Sequence, residues 1–441
     1  MSLTGKIHQA RNEIEQWARD YGLDFFDTVF EIVDVKLLSE IAAYGGFPTR
    51  YPHWRFGMEF DQINKGHDYG LHKIYELVIN NDPCTAYLMR SNSFVDQKIV
   101  IAHVYAHSDF FKNNAWFKQT NRKMLDTMGN HASRVHAYCE KFGFNTVEDF
   151  MDICLSIEGL IDMYHPYKKS GIKAVEGEPP AGPPAESPAP EEDSAKMKPS
   201  GKKIKDVMGY LIAHAPLEEW QRDVLEIIYK EAFYFQPQAQ TKIMNEGWAS
   251  YWHSKILTEK ALRDAEVIDF ADHHAGTLAA RPGQMNPYKL GIELFRDIEA
   301  QQGTRRIFEV RKLYNDITFV DEFLDEAFCE KQKLFVYAYN KRNGTYEIVD
   351  RNYKKVKEKL LFSLTNSGRP FISVIDGNYQ NKGGLLLLHE HHGVDLKIPE
   401  AKETLERIYQ IWKKPVCLET RVNGEKRLFI YSGKEHQEKA L

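Results

Sequence analysis

Cysteine is scarce in this chain: there are five in 441 residues, at positions 84, 139, 154, 329 and 417, and no two form a CxxC. An odd, scattered set neither frames a disulfide-stapled fold nor supplies a cysteine zinc site, and it fits a reducing compartment. Long apolar runs are missing too. None approaches the ~20 residues that a membrane helix needs, and the opening MSLTGKIHQARNEIEQWARDYG lacks the apolar centre of a signal peptide. The expected location is the cytoplasm. There is no large excess of charge of either sign. The net charge is −5, with 27% charged residues, so no general attraction to nucleic acid or to an anionic membrane follows. The densest basic run, Lys202-Lys203-Ile204-Lys205, reads as a solvated linker edge. The motifs GxSxG, GxxxxGK[ST] and GxGxxG do not occur, which leaves serine hydrolase, P-loop NTPase and Rossmann oxidoreductase readings without support.

Aromatic residues are abundant: 25 Phe, 23 Tyr and 7 Trp. A chain of this length can build a large core, with the polar tips of buried Tyr and Trp paired. The patterning predicts an α+β protein: a mostly helical main domain with a few short strands, and a small C-terminal antiparallel α+β domain. Helical periodicity runs over 7–18, 25–43, 96–113, 114–141 and 146–164, and again over 205–213, 217–234, 240–271, 288–301 and 320–330. The stretch 51–60 is aromatic and irregular, and reads as loop and short strand. Residues 75–80 read as a strand stopped by Asn81-Asp82-Pro83. Residues 171–203 contain GEPPAGPPAESPAPEEDSA, a composition that cannot bury enough apolar surface to offset its ordering entropy, so it is expected to be a disordered spacer. After 331 the pattern turns to strands, with hairpin turns at Asn343-Gly344 and Asn423-Gly424 and helices over 352–364 and 399–412. The order suggests one antiparallel sheet with two helices on a face. The expected division is 1–170 and 204–330 as two parts of the helical domain, 171–203 as an insert, and 331–441 as the C-terminal domain.

Chemistry concentrates in two stretches. In Ala102-His103-Val104-Tyr105-Ala106-His107, the imidazoles stand four apart and share one helix face, the spacing that lets two histidines reach one metal ion. Val104 occupies the place of the glutamate that serves as base in the HExxH zinc proteases. The plainer alternative is a helix packing two histidines into a polar core network. The second stretch, Asn245-Glu246-Gly247-Trp248-Ala249-Ser250-Tyr251-Trp252, resembles the NEGFASY-type segment of gluzincin aminopeptidases, where the Glu is the third zinc ligand. Gly57-Met58-Glu59 is similar to the GxMEN element of those enzymes. In them the third ligand follows the His pair closely. Here Glu246 lies 139 residues after His107, so the likeness is one of geometry. The candidate metal ligands are therefore His103, His107 and Glu246. His253, on nearly the same helix face as Glu246, is a fourth ligand or a group behind the ligands. This donor set suits zinc, with manganese and iron as alternatives. A proton-handling base would come from Glu59 or Glu76, both in aromatic surroundings where burial raises a carboxyl pKa. Asp269, Asp272, His273 and His274 read as a helix end, and His389-Glu390-His391-His392 as an exposed turn.

Several longer stretches carry a family pattern. Tyr51-Pro52-His53-Trp54-Arg55-Phe56-Gly57-Met58, Tyr75 through Pro83, Ala102 through Asn114, and Asn245-Glu246-Gly247-Trp248-Ala249 resemble the stage V sporulation protein R (SpoVR) family. So do Asn286-Pro287-Tyr288, Gly291 through Asp297, Asn315 through Phe328, Gly383-Gly384-Leu385-Leu386-Leu387 and Leu418-Glu419-Thr420. Ala106 stands where the family often has Gly, a helix-favouring change. The resemblance implies a cytoplasmic bacterial protein linked to spore cortex formation or stress. It also implies an operon shared with a PrkA-type serine kinase and a von Willebrand-like protein. It attaches no reaction. Two readings stay open: a metal-dependent hydrolase acting on an amide, peptide or cell-wall precursor, and a non-catalytic regulatory or scaffold protein of the kinase operon.

Overall fold

In the computed structural model, which describes residues 3–68, 76–165, 203–280 and 283–441, helices dominate and the strands gather into three small sheets. The architecture is α+β, as the patterning implies. Glu76 belongs to the described chain only through its backbone, and the proline-rich insert falls almost wholly outside the described residues.

Ile7, Ala10, Ile14 and Ala18 recur at helical spacing and form the buried stripe of α1 (Leu3–Asp20). The helix expected over 25–43 is instead a strand followed by a helix, β1 (Thr28–Val33) and α2 (Val35–Ala43). Four of the six β1 residues, Thr28, Val29, Ile32 and Val33, are β-branched. Their exposure alternates, with Thr28, Phe30 and Ile32 turned inward and Val29 and Glu31 outward. Asp34 then starts the helix by accepting from the Leu37 N–H at 2.8 Å. The stretch expected as loop and short strand near 51–60 is also different. It opens α3 (Trp54–Asp68), where the Trp54 N–H donates to Glu148 and an Arg55–Glu59 pair braces the first turns.

The strands β2 (Glu76–Ile79) and β3 (Cys84–Met89) pair antiparallel, and β3 pairs parallel with β1. Every β3 side chain is buried, so it shows no alternation and gave no strand signal. Next come α4 (Phe94–Asn113), α5 (Met124–Phe142), α6 (Phe144–Ser156), α7 (Val207–His214) and α8 (Glu219–Gln240). They are followed by α9 (Lys242–Ile256), α10 (Val267–Thr277), α11 (Pro287–Gln302), α12 (Thr304–Leu313), α13 (Asp316–Phe323) and α14 (Glu326–Gln332). The hairpin β4 (Val336–Asn340) and β5 (Thr345–Asp350) leads into α15 (Tyr353–Leu364). The chain closes with β6 (Ile372–Tyr379), β7 (Gly384–His389), α16 (Ile398–Trp412), β8 (Val416–Val422), β9 (Glu425–Tyr431) and β10 (His436–Ala440). Among the described residues, no helix is long and apolar enough to cross a membrane.

Contacts divide the chain into two compact units, 1–148 with 234–368, and 149–233 with 369–441. In the first unit α4 is central. It is buried on every side from Ile99 to Phe111 and packs against α1, α9, α10 and α12 and the strands β2 and β3. Trp248 and Trp252 of α9 join Phe295 and Phe308 in an aromatic cluster beside it. The second unit holds a five-stranded sheet in the order β10-β9-β8-β7-β6. It is antiparallel except between β7 and β8, which run parallel with α16 as the crossover. Leu405, Ile408 and Ile411 form the buried stripe of α16. The β4–β5 hairpin forms its own two-stranded sheet within the first unit, so the strands after 331 do not make one sheet. The chain accordingly leaves the first unit after Gly368, later than the boundary expected near 331.

Candidate metal centre

Helix α4 begins on a reciprocal cap. The Asp96 N–H donates to Ser93 Oγ at 3.1 Å, and the Ser93 N–H donates to the Asp96 carboxylate at 3.3 Å. The register set there brings His103 and His107 onto one face, with ring centroids 4.5 Å apart. Both are buried. Helix α9 is held at its own start by Asp316, whose carboxylate accepts from the Ile243 and Met244 N–H groups at 2.8 and 2.9 Å. Burial drives that carboxyl up to about 7, against the pull of the two N–H donors and with a further push from Glu246. Gly247 and Gly291 let α9 and α11 touch backbone to backbone. A Cβ on Gly291 would lie 2.6 Å from Gly247 Cα and closer still to the Ile243 carbonyl oxygen.

These helices bring three donor groups to one point. His103 Nε2 and His107 Nε2 lie 3.7 and 3.6 Å from the same atom, Glu246 Oε2. One ligand atom from each residue falls within 4.8 Å of the other two. Separations near 3.6 Å exceed the ~3.2 Å of an ordinary N–H···O bond. Ligand atoms held ~2.0–2.2 Å from one ion stand roughly 3–3.7 Å apart. Glu246 Oε2 is buried and no described residue hydrogen-bonds to it, which fits an atom whose partner is a cation.

The partners on the far side of each ring decide where its protons are. His107 Nδ1 lies 2.9 Å from Asn245 Oδ1, which can only accept. His107 therefore carries its proton on Nδ1 and presents a lone pair at Nε2, toward Glu246. His103 Nδ1 lies 2.8 Å from His253 Nδ1, and His253 Nε2 lies 3.2 Å from His274 Nδ1. An ion on His103 Nε2 places the proton on its Nδ1. His103 then donates to His253, and His253 donates to His274, so one orientation runs through three imidazoles. His274 suits the accepting end, because burial, with Arg296 and His273 adding repulsion, brings its pKa down to about 4. His273 ties α10 back to α4 through Asp96, at 3.0 Å. Tyr288 and Phe111 stack on His103 and His107, with centroids 6.4 and 5.9 Å apart.

Two residues beyond His107, Asp109 has no exposed surface. It accepts from Trp248 Nε1 and from the Asp24 N–H, both at 2.8 Å, and pairs with buried Arg311 at 3.3 Å. Burial pushes its carboxyl up to about 6 while Arg311 pulls it down. This network links α4, α9 and α12 behind the three donor groups.

Of the residues expected at the site, His103, His107 and Glu246 come together. His253 meets His103 through Nδ1, behind the three converging donor atoms, and is not one of them among the described residues. Glu59 lies on α3, about a third exposed, and its carboxylate takes up Arg55 Nε at 2.9 Å instead of joining the cluster. Glu76 opens β2, a strand packed against α4, and its side chain lies outside the described residues. Asn245, His274 and Asp316 were not expected as site residues. Asn245 sits inside the quoted motif. His274 reads from sequence as part of a helix end, and nothing local marks Asp316. His389, read as part of an exposed turn, is buried and bonded to Thr420 Oγ1 at 2.8 Å.

The family model described as "SpoVR like protein" matches residues 2–369. The chain therefore belongs to the SpoVR family. It is similar to "Uncharacterized protein YcgB" of Escherichia coli (strain K12), with 27% identity over 461 aligned positions that cover 92% of this chain and 90% of the relative. No solved structure matches it.

Proposed function

We propose that this SpoVR-family protein binds one divalent metal ion through His103 Nε2, His107 Nε2 and the Glu246 carboxylate, and that the centre hydrolyses an amide or peptide bond. The observation that carries the reading is the convergence of two imidazoles and one buried carboxylate oxygen from helices far apart in sequence. Two histidines and a carboxylate are the donor set of hydrolytic zinc centres, with manganese and iron as alternatives. When bound, such an ion polarises a carbonyl and makes water a nucleophile near neutral pH. The chain's own part is to orient the donors. Asn245 holds the His107 proton on Nδ1, and His253 accepts a hydrogen bond from the His103 Nδ1–H. Glu76 is the remaining candidate for proton transfer. Glu59 is already paired with Arg55. A cell-wall precursor as substrate, and a setting in spore cortex formation or stress alongside a PrkA-type kinase, rest on family resemblance alone.

The test is to incubate purified full-length protein with stem peptides of cell-wall precursors and with simple peptide amides. It is run after chelator treatment and again after zinc or manganese is restored. New amine groups should appear only with metal, and Glu246→Gln should abolish them. If metal-loaded wild type releases none from any of these substrates, the hydrolase reading is wrong.

A further inference from the structure

A second feature of the first unit lies outside the metal centre. Helix α11 and its cap Asn286 line a cavity of about 400 Å³, with Lys289, Leu290 and Glu293 of the helix at helical spacing. Helix α15 presents Val356, Lys359 and Leu360 from another side, again at helical spacing. The remaining described wall is Ala280 and Gly283 to Met285 ahead of α11, the end of α14, and the chain from Lys333 into β4. The volume falls in the range of small-molecule sites, about 300–1,000 Å³.

The polarity of the lining is ordered. Leu290, Phe328 and Val356 are buried, so the deep wall is apolar. Lys333 and Lys359, also in the lining, are exposed, and Lys289 is half-buried. None of the three lysines pairs with an acid among the described residues. The one acid among the described lining residues, Glu293, is already engaged by Arg296 at 2.8 Å and by Gln332 at 2.7 Å. The cavity therefore offers three uncompensated cations above an apolar wall. The N-terminal end of a 16-residue helix, capped by Asn286, adds to the positive potential.

We propose that this cavity binds an amphipathic anion: a carboxylate or phosphate head held by Lys289, Lys333 and Lys359, with an apolar chain or ring against Leu290, Phe328 and Val356. A neutral ligand would leave the lysines unmatched, and a cation would be repelled. The proposal is independent of the metal centre.

Calorimetric titration of the full-length protein with decanoate, decyl phosphate, decanol and decyltrimethylammonium tests it. One or both anions should bind with one site per chain, and decanol and the cation more weakly by roughly tenfold or more, the scale of a charge-assisted hydrogen bond. Which anion binds identifies the head group. The double variant Lys289→Ala/Lys359→Ala should weaken the anion by a similar factor with an unchanged circular dichroism spectrum. Leu360→Trp, which narrows the cavity, should weaken the anion as well. Chelator treatment and His103→Ala should leave anion binding intact, which separates this site from the metal reading. Absence of anion binding, equal binding of decanol and decanoate, or an affinity untouched by the lysine substitutions would overturn the proposal.

Discussion

Asn245 and Glu246 are neighbours in sequence and address opposite nitrogens of one ring, Asn245 at His107 Nδ1 and Glu246 at Nε2. Such an arrangement fixes both the tautomer and the tilt of a ligand before any ion arrives. His274 shows the same economy at the end of the imidazole chain, and it makes a pH-dependent contribution. Its folded pKa is about 4, below the ordinary 6.5, so on acidification the unfolded chain takes the proton first. That favours unfolding, and the stability tied to neutral His274 is lost as pH falls from about 6.5 toward about 4. The urea midpoint of wild type should therefore drop between pH 7 and pH 5 by more than that of His274→Gln. Equal drops in the two proteins would contradict this assignment.

At the scale of elements, the crossing of α9 and α11 positions Glu246. Adding a methyl at Gly247 or Gly291 forces two backbones apart, and Gly247→Ala or Gly291→Ala should destabilise the fold by about 1–3 kcal/mol or more. Gly276 in α10 has open space around its Cβ position, so Gly276→Ala should be neutral or mildly stabilising. Thermal melts of the three variants check the contrast. Much of this level was legible in the sequence. Periodicity marked α4 and α11, and the Asn-Gly turns marked both late hairpins. The His pair and the Asn-Glu-Gly-Trp segment marked the three residues that converge. What escaped has physical causes. In β1, apolar residues spaced 3 and 4 apart mimic a helix, while β-branching and the Asp34 cap decide otherwise. In β3, burial on both faces erases alternation. The roles of His253 and His274 depend on which ring atoms meet across 150 and 21 residues, a matter of tertiary register.

At the scale of the whole chain, each compact unit is assembled from segments on both sides of 171–202. The family match ends at 369, where the first unit ends and the five-stranded sheet is about to begin. A proteolytic nick within the proline-rich insert should therefore leave both fragments together on a sizing column, and their separation without denaturant would contradict this. The central claim is the shared metal site, and metal titration into chelator-treated protein tests it most directly. One ion per chain should bind to wild type and to Glu59→Ala, with binding lost or weakened by orders of magnitude in His107→Ala and Glu246→Gln. No binding to wild type, or binding that both substitutions leave unchanged, would contradict the account.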